Sequence, residues 1–272
     1  MRGWWRDLTD LVVPAECGGC GRPRTVLCPQ CRAVLGGSAP RRVRPVPQPP
    51  GLPAVHAAAP YADEVRAAIL AHKERGALAL AAPLGAALAG AVRAGLGHAG
   101  HGGAEPVLLV AVPSSRRAVR ARGHDPARRI ALAAAAELRR SGTPARAPAV
   151  LRQRRAVADQ AGLDSRQRRE NLAGALRVAA GGVRLLVAGP VVLVDDLMTT
   201  GASLAEAARA VRKAVYEAPT REGMGERKSG TRREEGNPEY DAPEKAGAYG
   251  AGEVICAAVV ASSPDSFEKN RN

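Results

Sequence analysis

Three short runs of aliphatic residues set the terms of the fold. Residues 107–112 (Val-Leu-Leu-Val-Ala-Val), 191–194 (Val-Val-Leu-Val) and 254–260 (Val-Ile-Cys-Ala-Ala-Val-Val) are apolar at consecutive positions. They are too short for helices, and their continuity predicts strands buried on both faces, the condition of a parallel sheet covered by helices. Helical spacing of apolar residues lies between them, over 63–75, 83–94, 126–140 and 203–215. Strands alternating with helices predict an α/β fold with an open, largely parallel sheet. Hydrophobic residues make up 46% of the 272 and aromatics only 3%, so the core must be built from Ala, Val and Leu.

Ahead of this region, Cys17-Gly-Gly-Cys20 and Cys28-Pro-Gln-Cys31 form two C-x2-C pairs separated by seven residues. Each pair can turn tightly and aim two thiolates at one point. Four such sulfurs complete a tetrahedral zinc shell and leave no open position for catalysis. A redox C-x-x-C opens a helix in a strand–helix unit, whereas both pairs here lie in turn-rich sequence. Cys256, inside an apolar run, is expected in the core. The expected organisation is a zinc module over residues 1–36, a Pro-, Gly- and Arg-rich linker over 37–53, and an α/β domain over 54–265. A charged stretch at about 216–248 mixes Glu217, Glu222, Glu226, Glu234, Glu235, Glu239, Asp241 and Glu244 with bases and few aliphatics, and is expected to be a flexible insertion.

The chemistry concentrates at residues 191–204. A buried run is followed by Asp195 and Asp196, then Leu-Met-Thr199-Thr200-Gly201-Ala202-Ser203, then a helical pattern. Ligands of open α/β sheets bind at the carboxyl ends of strands. Backbone N–H groups and a helix N-terminus there suit an anion, and the hydroxyls of Thr199, Thr200 and Ser203 can donate to it. Gly201 would let the backbone approach closely, and the two acids suit ribose hydroxyls. The expectation is a ribose 5-phosphate cradle; no G-x4-G-K-[ST] loop occurs.

The segment from Val191 to Leu204 resembles the phosphoribosyl-pyrophosphate (PRPP) motif of type I phosphoribosyltransferases. The chain as a whole resembles the ComF family, which joins a four-cysteine zinc module to a phosphoribosyltransferase domain. The resemblance also rests on Tyr61, Arg66 and Lys73, on Val112-Pro113-Ser114, on Arg120-Ala121-Arg122-Gly123, on Gln160-Ala161-Gly162-Leu163, and on Arg168, Asn171 and Gly174-Ala175. It implies PRPP bound at Asp195, Asp196 and Thr199, Thr200, Gly201, Ala202 and Ser203. It also implies a pyrophosphate and mobile loop formed by Lys73, Ser114, Ser115, Arg116, Arg120 and Arg122, with Mg2+ accompanying PRPP. The chain departs from the family where His124-Asp125-Pro126 replaces an aromatic-Asn-Gln and where Glu74 follows Lys73 in place of an aromatic.

Residues 114–129 carry Arg116, Arg117, Arg120, Arg122, Arg128 and Arg129, a density of guanidinium suited to a polyphosphate. His124 in this segment is a candidate for acid–base work, although a lone loop His more often has no such role. No general base or acceptor pocket can be named. The net charge of +14 keeps a second function open. This is single-stranded nucleic-acid binding on the fold but without transfer, tracking phosphates more than stacking bases, for which the resemblance implies a place in competence and DNA uptake. A PRPP-sensing regulator is the third. Residues 1–14 carry Arg2, Arg6, Asp7 and Asp10 and no signal-like apolar stretch, and no apolar run approaches the roughly 20 residues of a membrane span, so a cytoplasmic protein is expected.

Overall fold

The computed structural model describes residues 16–102, 105–155, 167, 171–217 and 252–268. The three aliphatic runs form adjacent strands at the centre of a six-stranded sheet. In chain order the strands are β1 (Arg41–Val43), β2 (Val55–Pro60), β3 (Val107–Ala111), β4 (Ala145–Arg146), β5 (Leu151–Gln153), β6 (Leu176–Val178), β7 (Val191–Met198) and β8 (Val254–Ser262). The main sheet runs β1-β2-β8-β7-β3-β4, and β5 and β6 form a separate antiparallel pair. Only the edge strand β1 is antiparallel within the main sheet; β2, β8, β7, β3 and β4 are parallel to their neighbours.

This order creates one topological switch. From β3 the chain passes outward to β4, then returns to form β7 on the opposite side of β3. Such a reversal leaves a crevice at the carboxyl ends of the two strands. Pairing of β3 with β7 ends at Ala111↔Val194, with a last bond from Val112 N–H to Val194 O. On its other side β7 stays paired with β8 through Asp195↔Val259, Leu197↔Ala261 and Met198↔Ser262. The crevice therefore opens at Asp195. The sequence reading ended both strands earlier, at Val194 and Val260; mutual pairing carries each further.

The helices are α1 (Pro29–Gly36), α2 (Asp63–Glu74), α3 (Ala81–His98, entered through a 3-10 turn at Leu78–Leu80), α4 (Arg116–Arg122), α5 (Pro126–Arg140), α6 (Gly182–Leu186), α7 (Ala202–Tyr216) and α8 (Asp265–Glu268). One face of the sheet (Leu109, Val192, Val194, Ala258) packs with buried residues of α1, α2, α3 and α5; the other (Leu108, Val110, Val191, Leu193) packs with α7 and the β5–β6 pair. Small residues allow close packing where aromatics are scarce. A Cβ on Gly85 of α3 would lie 2.5 Å from Ala133 Cβ of α5. The sequence reading ended α3 at Ala94, ahead of Gly95 and Gly97. The helix continues, and Gly95 fits because a Cβ there would meet Cys256 Sγ at 2.7 Å. Cys256 is buried as expected.

Two expectations change. Residues 37–53 are more than a linker: they supply β1 and bury Val43 and Leu52 against the sheet. The segment Leu78–His98 is long and apolar enough, by length and composition, to cross a membrane, contrary to the sequence reading. Its buried face (Leu84, Leu88, Val92, Leu96) belongs to the core beside the sheet, as in the core helix of a globular domain. It is the one such helix among the described residues.

Candidate functional site

At the mouth of the crevice, Asp196 is buried, with its side chain 5% exposed, and Lys73 Nζ from the last turn of α2 donates to its Oδ2 at 2.9 Å. Asp195, half-buried beside it, accepts the Asp196 backbone N–H at Oδ1, 2.8 Å away. Burial, and then the Asp196 charge, push the Asp195 carboxyl well above its ordinary value, against the pull of Lys73. Burial draws Lys73 down, but Asp196 and Asp195 together leave it net raised. The result is a carboxyl pair with a single ammonium aimed at it.

Beyond Met198 the chain turns through Thr199 (exposed) and Thr200 (half-buried) to Gly201, whose φ of +74° starts α7. Gly201 at the N-cap offers no side chain to this 15-residue helix, and the Ala202 amide donates only a long bond, to Thr200 Oγ1 at 3.5 Å. Free amides at the positive end of a helix dipole form an anion seat. Buried Ala202 and half-buried Ser203 begin the first turn. Gly201 is required here for a reason the sequence reading did not give. Besides its left-handed backbone, a Cβ would fall 2.9 Å from Leu52 Cδ2 and 3.3 Å from Pro45 Cγ. The residue is fixed by packing against segment 37–53.

Across the crevice, the segment after β3, expected as a mobile loop, contains the helix α4. Ser115 caps it by accepting the Ala118 amide at 3.1 Å, and Gly123 ends it at φ +76°. Ser114 Oγ donates to Asp125 Oδ1 at 3.4 Å, and Asp125 caps α5. Arg116, Arg117 and Arg120 are exposed. Arg122 is not free: Nε and Nη2 donate to Glu74 Oε2 and Oε1 at 2.8 and 2.6 Å. Next to it the His124 ring spans two carbonyls, with Nδ1 3.2 Å from Arg122 O and Nε2 3.1 Å from His72 O, and packs edge-on to buried His72. A neutral imidazole donates to one of these two carbonyls, and a bond to His72 O is the one that reaches the end of α2.

The β5–β6 pair is tied to the site through α7. Buried Glu206 accepts the Leu176 amide at 2.9 Å, while Arg209 donates Nε to Glu206 Oε2 at 2.7 Å and Nη2 to Leu176 O at 3.2 Å. Burial raises the Glu206 carboxyl, but Arg209 and the backbone donors of Leu176 and Gly174 together outweigh it and hold the group below its usual value.

Cys17, Cys20, Cys28 and Cys31 are free of disulfides, and their sulfurs all lie within 4.8 Å of one another. Four sulfurs at about 2.3 Å from a tetrahedral ion sit about 3.8 Å apart, so the cage fits a metal such as zinc. Cys20 Sγ and Cys28 Sγ are 3.6 Å apart, and the Cys28 amide donates to Cys17 Sγ at 3.3 Å. Burial raises the Cys17 thiol, but backbone donors overrule it and bring the group down to about 6; burial and the neighbouring sulfurs push Cys31 up. A bound dication would let the four sulfurs ionise together. The second pair does open a helix, since Cys28 stands at the N-cap position of α1 without a capping bond, Pro29 starts it and Cys31 lies within it. Gly19 brings the first pair close: a Cβ would meet Cys31 Sγ at 2.7 Å. The cysteines share their core with Leu80 and Ile69, so the module is part of the main body.

The fold thus brings Lys73, Asp195, Asp196, Arg122 and the start of α7 to one end of the sheet. Arg116 and Arg120 stay outside without ion pairs among the described residues. Sequence reasoning placed Lys73 with the arginines and missed its bond to Asp196, and it missed Glu74, Glu206 and Leu52 as supports. Residues 160–163 and 168, and the charged stretch beyond residue 217, lie outside the described residues; Asn171, Gly174 and Ala175 lie beside β6. A separate cavity of about 360 Å3, lined by Arg93, His101, Glu105 and Thr143, lies at the amino end of β3, away from these groups. A scan against protein-family models and a search of curated proteins match nothing to this chain.

Proposed function

We propose that this chain is a PRPP-binding phosphoribosyltransferase of the ComF kind, with Zn2+ in its four-cysteine cage as a structural metal. The observation that supports it most is the opening of the crevice at Asp195 and Asp196, directly ahead of the uncapped α7 N-terminus. The acids would accept ribose hydroxyls, and the amides after Gly201 would hold a 5-phosphate. Among the described residues no group of three or more His, Cys, Asp or Glu side chains besides the cysteines could hold a metal. Mg2+ would accompany the diphosphate, where it neutralises leaving-group charge. In transfer, the C1–O bond to pyrophosphate breaks and a bond from C1 to an acceptor atom forms. In this reading Lys73 and Arg122 would stabilise the negative charge growing on the leaving group.

Calorimetric titration of PRPP with Mg2+ tests this reading. The double variant Asp195→Asn/Asp196→Asn, with unchanged circular dichroism, should bind at least about tenfold more weakly, since charge-assisted bonds are worth about 1.5–3 kcal/mol each. Equal affinity in parent and variant would remove the ribose cradle. Exposed Arg116, Arg117 and Arg120 on α4 favour a second reading, a phosphate-tracking surface for single-stranded nucleic acid. Titration with single-stranded DNA at two salt concentrations separates the two.

A further inference from the structure

The cations of the crevice are both already occupied by carboxylates of the chain itself. Lys73 is held by Asp196, and Arg122 by Glu74, the residue that follows Lys73 on α2. The second pair has the two-pronged geometry in which a guanidinium also grips a phosphate. Arg122 lies close enough to Lys73 to lower its pKa, so the two cations share one field. It is also the inward arginine of α4: its side chain is 22% exposed, while Arg116, Arg117 and Arg120 face solvent.

We infer that Glu74 is an internal competitor for the phosphoanion, holding the guanidinium that a diphosphate group takes when it binds. The inference rests on the reading of the crevice as a phosphoanion site and adds a residue that sets its selectivity. Glu74 is 45% exposed, so the pair is weak enough for a ligand to exchange. The exchange needs only side-chain motion, because the ends of α4 and α2 already meet where the His124 ring packs edge-on to His72 and its Nε2 lies 3.1 Å from His72 O. A ligand whose single phosphate sits on the α7 N-terminus has no need of Arg122 and is indifferent to Glu74. A ligand carrying a diphosphate must displace it.

The test uses the full chain and three probes: inorganic pyrophosphate, PRPP and ribose 5-phosphate. Glu74→Gln should tighten pyrophosphate and PRPP by about three- to fivefold, the scale of a partly exposed ion pair, and leave ribose 5-phosphate unchanged. Arg122→Gln should weaken the two diphosphates, and in its background Glu74→Gln should have no effect. Unchanged or weaker diphosphate binding by a correctly folded Glu74→Gln variant overturns the inference, as does an equal gain for ribose 5-phosphate. If both diphosphates show the full pattern but PRPP binds no more tightly than pyrophosphate, and ribose 5-phosphate not at all, the competitor stands and the PRPP reading falls. Binding of none of the three by any variant overturns both.

Discussion

Lys73 Nζ lies 2.9 Å from Asp196 Oδ2, joining the last turn of α2 to the strand at the centre of the sheet. This bond makes adjacent carboxylates tolerable at a buried strand end. One ammonium serves two acids, and the cost of the arrangement falls on Asp195, whose carboxyl is held well above its ordinary value of 3.8. A carboxyl raised in the folded state binds its proton more tightly there than in the unfolded chain. Stability is therefore lost as pH rises above 3.8 toward the folded value, the reverse of a salt-bridged acid.

Asp195→Asn removes that penalty and keeps an oxygen to accept the Asp196 amide. The variant should melt a few degrees higher than the parent at pH 7, since each pKa unit corresponds to about 1.4 kcal/mol. The advantage should shrink to nothing below pH 3.8, where the parent carboxyl is protonated in both states. Thermal melts across pH check this, and a variant less stable than the parent at pH 7 would show Asp195 to be well served in the fold. Lys73→Met should act oppositely, costing about 1–3 kcal/mol by leaving buried Asp196 unpaired.

Purified protein should contain about one zinc per chain. Because Cys17, Cys28 and Cys31 are buried in the main core with Leu27, Leu35 and Leu80, stripping the metal should lower the melting temperature of the whole cooperative transition. A chelator that removes the zinc without moving the melt would mean that the cysteines pack without help from the metal.

Gly201 carries two constraints that can be separated. Gly201→Ala should cost about 1–3 kcal/mol from its positive φ and the contact with Leu52. Leu52→Ala relieves the contact but not the backbone strain. The double variant should thus lose less than the sum of the single losses, by an amount that denaturant melts can read. Strict additivity would place the whole cost in the backbone.

The sequence by itself determined the alternation of strands and helices, because aliphatic continuity and helical spacing follow from short-range backbone geometry. It also determined the four-cysteine cage, whose ligands are near one another in the chain, and the acid–hydroxyl–glycine order at residues 195–203. It did not reveal β2, an Ala-rich segment with little strand preference of its own, which is extended because β1 and β8 pair with it on either side. Nor did it show that α3 runs through Gly95, which depends on where Cys256 sits. The partners of Lys73 and Arg122 lie 123 and 48 residues away in sequence. Nothing in local spacing encodes such pairs. The order of strands in the sheet decides them, by fixing which helix ends meet at the crevice and which charges must neutralise one another there.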